Sequence, residues 1–171
     1  MALQEALARH HIENNSANFE AHYNLAAMLQ ARGSAQEAIE EYQLALALRP
    51  GDATVENALG AALLASNQIS EAILHLSAAA SARPDYFDAH YTLGIAQGTA
   101  ENFSAAVQEL TTAVKLQPDD AGAQANLGAA LAGLGETEQA ILHFNRALEI
   151  DPGNALAREN LDAVRRDSSR P

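Results

Sequence analysis

The 171-residue chain is 48% hydrophobic but only 5% aromatic, with no Trp and no Cys. A core of alanine and leucine suits close-packed helices rather than a sheet of β-branched and aromatic residues, and without Cys there is neither a disulfide nor a thiolate metal site. Twenty-two acidic against ten basic residues give a formal net charge of -12, which argues against nucleic acid as a partner and favours a neutral or basic one.

No segment approaches the ~18 apolar residues of a membrane span, and residues 1–13 lack the apolar core of a signal peptide. The chain therefore reads as soluble, with no membrane insertion. The expected location is the cytoplasm, with the periplasm or membership in a larger exported protein as alternatives.

Pro50, Pro84, Pro118 and Pro152 recur every 34 residues, and a fixed period of this length marks a repeat architecture. The same interval carries Leu25, Leu59, Leu93, Leu127 and Leu161, each of the first four followed by a small residue: Ala26, Gly60, Gly94, Gly128. It also carries Ala38, Ala72, Ala106 and Ala140, then Tyr42, Leu76, Leu110 and Phe144, then Ala45, Ala79, Ala113 and Ala147. A large knob beside a gap on one helix, with alanines on the next, lets two helices approach closely. Proline then stops the second helix, because it lacks an amide hydrogen and clashes with the preceding turn.

In chain order, residues 1–18 form a helix and turn resembling the second half of a hairpin, with Leu7 and Ile12 expected to be buried. Full repeats cover 19–52, 53–86, 87–120 and 121–154. Gly33, Asn67 and Gly135 fall where left-handed helix C-caps are needed, and Ser34 with Glu37 reads as a capping box. Asp52, Asp120 and Asn154 are placed to cap the following hairpins, with Asp85 or Asp88 doing so in the third repeat. Residues 155–171 supply a capping first-type helix with Leu161 and a frayed tail from Arg166 onward. The whole chain thus reads as one domain. Repeats one and three share Ala-His-Tyr, and two and four share Ala-Ile-Leu-His, as if a two-repeat unit had been duplicated.

These slots resemble the tetratricopeptide pattern Trp-x-x-Leu-Gly-x-x-Tyr, Ala-x-x-x-Phe, Pro over 34 residues. Departures are His22, Glu56, His90 and Gln124 in the Trp slot, and Leu29, Leu63, Gln97 and Leu131 in the first Tyr slot. The resemblance implies an all-α, right-handed superhelical solenoid of antiparallel helix pairs, with first helices lining a concave groove. It further implies a protein-interaction scaffold or adaptor, not an enzyme, that holds a peptide or partner segment in that groove. The alternative is a targeting or substrate-recruiting module of a larger enzyme or of a secretion or assembly complex, which the opening half-hairpin favours slightly. Self-association through the end helices is a further expectation.

The residues just before each core leucine point away from the hairpin partner and are the candidate groove lining. The peptide-binding set is Glu20, Tyr23, Asn24, Asn57, Asp88, Tyr91, Thr92, Gly98, Asn126 and Asn160. Asn24, Asn126 and Asn160 share one slot, similar to the groove asparagines of the repeat superhelix in O-GlcNAc transferase, and Ala58 and Thr92 depart from it. An asparagine amide offers both donor and acceptor to a peptide backbone. Tyr23 and Tyr91 add apolar area with a polar tip, or else pack in place of the missing Trp. Chaperone-binding relatives hold a terminal carboxylate with Lys and Arg here; these slots carry none, so the expected ligand is an extended neutral or basic segment. Gly94 and Gly98 bare the backbone for close approach of a ligand, or reflect drift in a tolerant repeat.

Six histidines do not make a metal site, because corresponding residues two repeats apart lie on the order of 20 Å from each other. Arg158, Arg165, Arg166 and Arg170 form a basic cluster that complements the last helix's dipole. No phosphate loop, nucleophile elbow or zinc-protease motif occurs, and no cofactor is expected.

Overall fold

The computed structural model describes residues 2–168. Among these residues every regular element is an α-helix: α1 (Ala2–Asn14), α2 (Phe19–Arg32), α3 (Ala35–Leu48), α4 (Ala53–Ala65), α5 (Ile69–Ala82), α6 (Phe87–Thr99), α7 (Phe103–Leu116), α8 (Ala121–Gly133), α9 (Thr137–Ile150) and α10 (Ala155–Ser168). The fold is a helical repeat of the solenoid class. The helices fall into two compact units, Met1–Pro84 and Asp85–Pro171.

In the first unit α2 pairs with α3 and α4 with α5, while α1 packs on α2 and α3 on α4. Glu5 of α1 accepts from Arg32 at the end of α2 at 3.0 Å, and the neighbouring Arg9 hydrogen bond, more than Arg32, holds its carboxyl below the usual range. In the second unit α6 pairs with α7 and α8 with α9; α7 packs on α8, and α10 on α9 and α8.

The periodic slots form the core. Leu25, Leu59, Leu93, Leu127 and Leu161 are all buried, and the eight slot alanines are fully buried, as are Leu76 and Phe144. The small residue after the leucine has a direct steric cause. A Cβ on Gly60 would lie 2.6 Å from Leu76 Cγ, on Gly94 2.5 Å from Leu110 Cγ, and on Gly128 2.7 Å from Phe144 Cε1. The first helix thus receives a large buried side chain of its own partner helix at a point where it has none.

Second helices end two residues before each proline, with Arg49, Arg83, Gln117 and Asp151 as C-caps. Gly33, Asn67 and Gly135 adopt positive φ at the hairpin turns, and Glu101 does so in the third repeat. Asp52, Asp120 and Asn154 accept from backbone amides of the following helix, as does Asn18 before α2.

Four local expectations are corrected. Ser34 caps no amide, because its Oγ instead accepts from Arg32 at 3.1 Å. The third hairpin begins at Tyr86 with no side-chain cap, so neither Asp85 nor Asp88 serves there. In α1 it is Ala8 that turns inward; Leu7, one position round the helix, is 54% exposed, and Ile12 is half-buried. Helix α10 continues past Arg166 to Ser168, and the rest of the expected tail, including Arg170, lies outside the described residues.

Candidate peptide-binding face

Residues spaced i, i+4, i+7 and i+11 share one face of a helix. On α2 this stripe is Glu20, Asn24, Ala27 and Ala31; on α6 it is Asp88, Thr92, Ile95 and Thr99; on α8 it is Gly122, Asn126, Ala129 and Gly133. Two hollows open along it. In the first unit a cleft of about 460 Å³ lies between α1 and α2, bordered by Leu7, His11, Glu20, Asn24 and Met28. In the second, a cavity of about 240 Å³ lies among α6, α7 and α8, bordered by Ile95, Gly98, Phe103, Asn126 and Ala129.

The asparagine slot is less versatile than the side chain alone implies. Asn126 Nδ2 donates to the Gly122 carbonyl at 2.9 Å and to the Tyr91 hydroxyl at 3.2 Å. Asn160 Nδ2 likewise donates to the Leu156 carbonyl one turn back at 2.9 Å. With the amide hydrogens of Asn126 committed to the fold, its remaining capacity is the Oδ1 acceptor, which suits a peptide N–H. Asn24 is exposed on the corresponding stripe of α2, and Thr92 is half-buried on that of α6.

The tyrosine slot points elsewhere. Tyr23 is half-buried, stacked on Phe19 with centroids 6.3 Å apart and tilted against Tyr42 at 5.8 Å. Tyr91 stacks on Phe87 at 5.5 Å, and its hydroxyl reaches α8 through Asn126. Gly122 makes room for it, since a Cβ there would sit 2.9 Å from the hydroxyl. Burial, then the Asp120 charge, push the Tyr91 phenol up. Asn57 is half-buried, and Ala125 in the same slot is fully buried. These side chains occupy seams between helices; the residue one position later is exposed at Asn24 and half-buried at Ala58, Thr92 and Asn126.

The two glycines of α6 part company. Gly94 is a packing residue against Leu110, whereas a Cβ on Gly98 would meet nothing nearer than Ala106 Cβ at 3.9 Å. Gln97, in a slot otherwise leucine, accepts from Asn102 Nδ2 at 3.0 Å across the α6–α7 turn.

The sequence reading missed a set of polar pairs inside the hairpins. His22 Nδ1 donates to Glu41 at 2.6 Å, His75 to Glu56 at 2.7 Å, His90 to Glu109 at 2.7 Å, and His143 to Gln124 Oε1 at 2.8 Å. The Trp slot is thus filled by a residue hydrogen-bonded to the position 19 further on. His22, Gln124 and Arg158 also donate to the carbonyl six residues earlier, on Ser16, Pro118 and Pro152. The alternation of His and Glu at spacing 19 was visible in the chain. Among the described residues no three His, Cys, Asp or Glu side chains gather as a metal-ligand set.

The charge on the outward stripe has one sign. Helices α4, α6 and α8 contain no Lys or Arg. Asp88 is exposed at the start of α6, and Glu20 is exposed on α2, where Arg49 approaches it at 2.5 Å. A hydrogen bond from its own backbone amide, then Arg49, hold the Glu20 carboxyl below its usual range. No described helix is long and apolar enough to cross a membrane.

Comparison with known proteins agrees with this architecture. No curated protein matches the chain. The solved structure of YrrB, described as a tetratricopeptide repeat protein with an unusual peptide-binding site, is 27% identical and covers 94% of this chain and 83% of its own, with a TM-score of 0.81. MamA from Desulfovibrio magneticus RS-1 is 23% identical over 88% of this chain and 85% of its own, with a TM-score of 0.82. The first repeat domain of Spaghetti (RPAP3), bound to the HSP90 peptide SRMEEVD, is 24% identical over 69% of this chain and 94% of its own, with a TM-score of 0.66. Tetratricopeptide repeat family models match residues 19–52 and 91–155, together more than half of the sequence. With the hairpins, slots and period all in register, the chain belongs to the tetratricopeptide repeat family.

Proposed function

We propose that this protein is an interaction scaffold that holds extended, neutral or basic segments of another protein against the outward stripes of the first helices within each unit. The observation that carries this reading is the stripe's chemistry: the Asn126 amide keeps only its acceptor for a ligand, Glu20 borders the first-unit hollow, Asp88 is exposed at the start of the α6 stripe, and α4, α6 and α8 carry no cation. Acceptors without cations suit a ligand that brings N–H groups and positive charge, and repel a terminal carboxylate. YrrB's peptide-binding description supports a peptide as the class of ligand.

Chemical-shift mapping with Lys-containing extended peptides tests the assignment. Perturbations are expected at Asn24, Thr92 and Asn126, and their confinement to the outer faces of α3, α5, α7 and α9 would remove this face as the site.

A further inference from the structure

The cavity of the second unit exists because one side chain is missing. The slot that holds Gln30 in the first repeat, half-buried Leu64 in the second and Ala132 in the fourth holds Gly98 in the third. Nothing else moves in to fill the space: a Cβ at Gly98 would find ordinary contact at 3.9 Å. The far wall is Phe103, whose ring stands where Gly133 leaves room, since a Cβ on Gly133 would fall 2.6 Å from it. The result is a notch of about 240 Å³ with Leu110 in its floor, Ile95 and Phe103 as walls and Asn126 at its edge.

Resting on the proposed binding of an extended segment, we infer that this notch is an anchor socket for one bulky apolar side chain of that segment, with a Lys or Arg of the segment facing Asp88. The notch is below the roughly 300–1,000 Å³ of small-molecule sites, and its apolar lining matches an aliphatic or aromatic side chain. Asn126 Oδ1, the free acceptor of that amide, serves the backbone N–H near the anchor. Asp88 lies seven residues before Ile95 on the same stripe, a distance of roughly 10 Å along the helix. That distance equals about three residues of extended chain, so the basic residue falls about three positions from the anchor. No Lys or Arg on α6 or α8 competes for it.

The experiment is fluorescence anisotropy with labelled extended Ser/Ala peptides carrying a Leu anchor and a Lys three positions to either side. Replacing the Leu by Ala is expected to weaken binding roughly tenfold or more, and replacing the Lys by Glu to weaken it further. Gly98→Leu should lower Leu-peptide affinity to that of the Ala peptide while its thermal midpoint stays at or above wild type. Ile95→Ala, which widens the socket, should move the preference from Leu toward Phe. Unchanged affinity in Gly98→Leu, with wild-type binding intact, would overturn the socket and leave the groove standing. Absence of binding by every peptide would overturn both. A concentration-dependent mass of the free protein that disappears in Gly98→Leu would overturn the foreign segment in favour of a second copy as occupant.

Discussion

His22 donates to Glu41 across 2.6 Å inside the first hairpin, and the second hairpin makes the same bond with the residues exchanged, His75 donating to Glu56 at 2.7 Å. The hairpin therefore needs the pair rather than a particular residue in either position. Both side chains are largely shielded, at 29% and 11% exposure for His75 and Glu56. His75→Glu sets two carboxylates together and should lower unfolding free energy by about 2 kcal/mol or more. Adding Glu56→His recreates the arrangement of the first hairpin and should recover most of that loss. Denaturant titration of the two variants checks it, and a double mutant no better than the single would refute the exchange.

The glycines of α6 make opposite predictions from neighbouring turns. Gly94→Ala drives a methyl into Leu110, 2.5 Å away, and should destabilise by about 1–3 kcal/mol despite its gain in helix propensity. Gly98→Ala meets no such contact and should stabilise by about 0.5–1 kcal/mol. Thermal melts of the pair measure both signs.

Tyr42 gives an alkaline signature. Burial, with a lesser contribution from Tyr23, pushes its phenol up to about 12 from 10.0, and its hydroxyl donates to Gln30 at 2.9 Å. Because the folded state holds the proton more tightly, the stabilisation is complete below pH 10 and is lost as pH rises toward about 12. Ultraviolet titration should show the Tyr42 phenol ionising toward about pH 12, together with loss of helicity. In Tyr42→Phe the stability slope over this window should be shallower.

His143 gives an acid signature. Burial lowers its imidazole below 6.5, and its partner is the neutral Gln124 amide rather than a carboxylate. The folded state therefore favours the neutral ring, so this contribution is present above pH 6.5 and is lost as pH falls through the folded value. Gln124→Glu supplies the carboxylate found in the other three hairpins and should raise the His143 pKa, measured by NMR titration of the ring protons.

The repeat was legible because steric demands recur at a fixed interval: the proline stop, slot leucine and slot alanines admit few substitutes, and the left-handed turn is Gly or Asn in repeats one, two and four and Glu101 in repeat three. The polar pairs are hidden in the sequence because the first-helix member alone reads as a departure from the Trp slot; only a comparison of His22 with Glu41 and Glu56 with His75 shows the compensation. Tyr23 and Tyr91 lie just before the core leucine like the other lining candidates, yet one helical position is ~100° of rotation, enough to turn them into seams while Asn24 is exposed and Asn126 borders the second-unit cavity. Likewise Gly94 and Gly98 are alike in sequence and differ only in what stands opposite them.

The most direct test of the account is calorimetric titration of the wild-type protein with two peptides of identical apolar sequence, one flanked by lysines and the other by glutamates. The lysine peptide is expected to bind, more weakly as salt is raised, and the glutamate peptide to give no heat. Equal affinity for the two, or preference for the glutamate peptide, would contradict the acceptor-rich face, with no Lys or Arg on α4, α6 or α8, on which the proposed function rests.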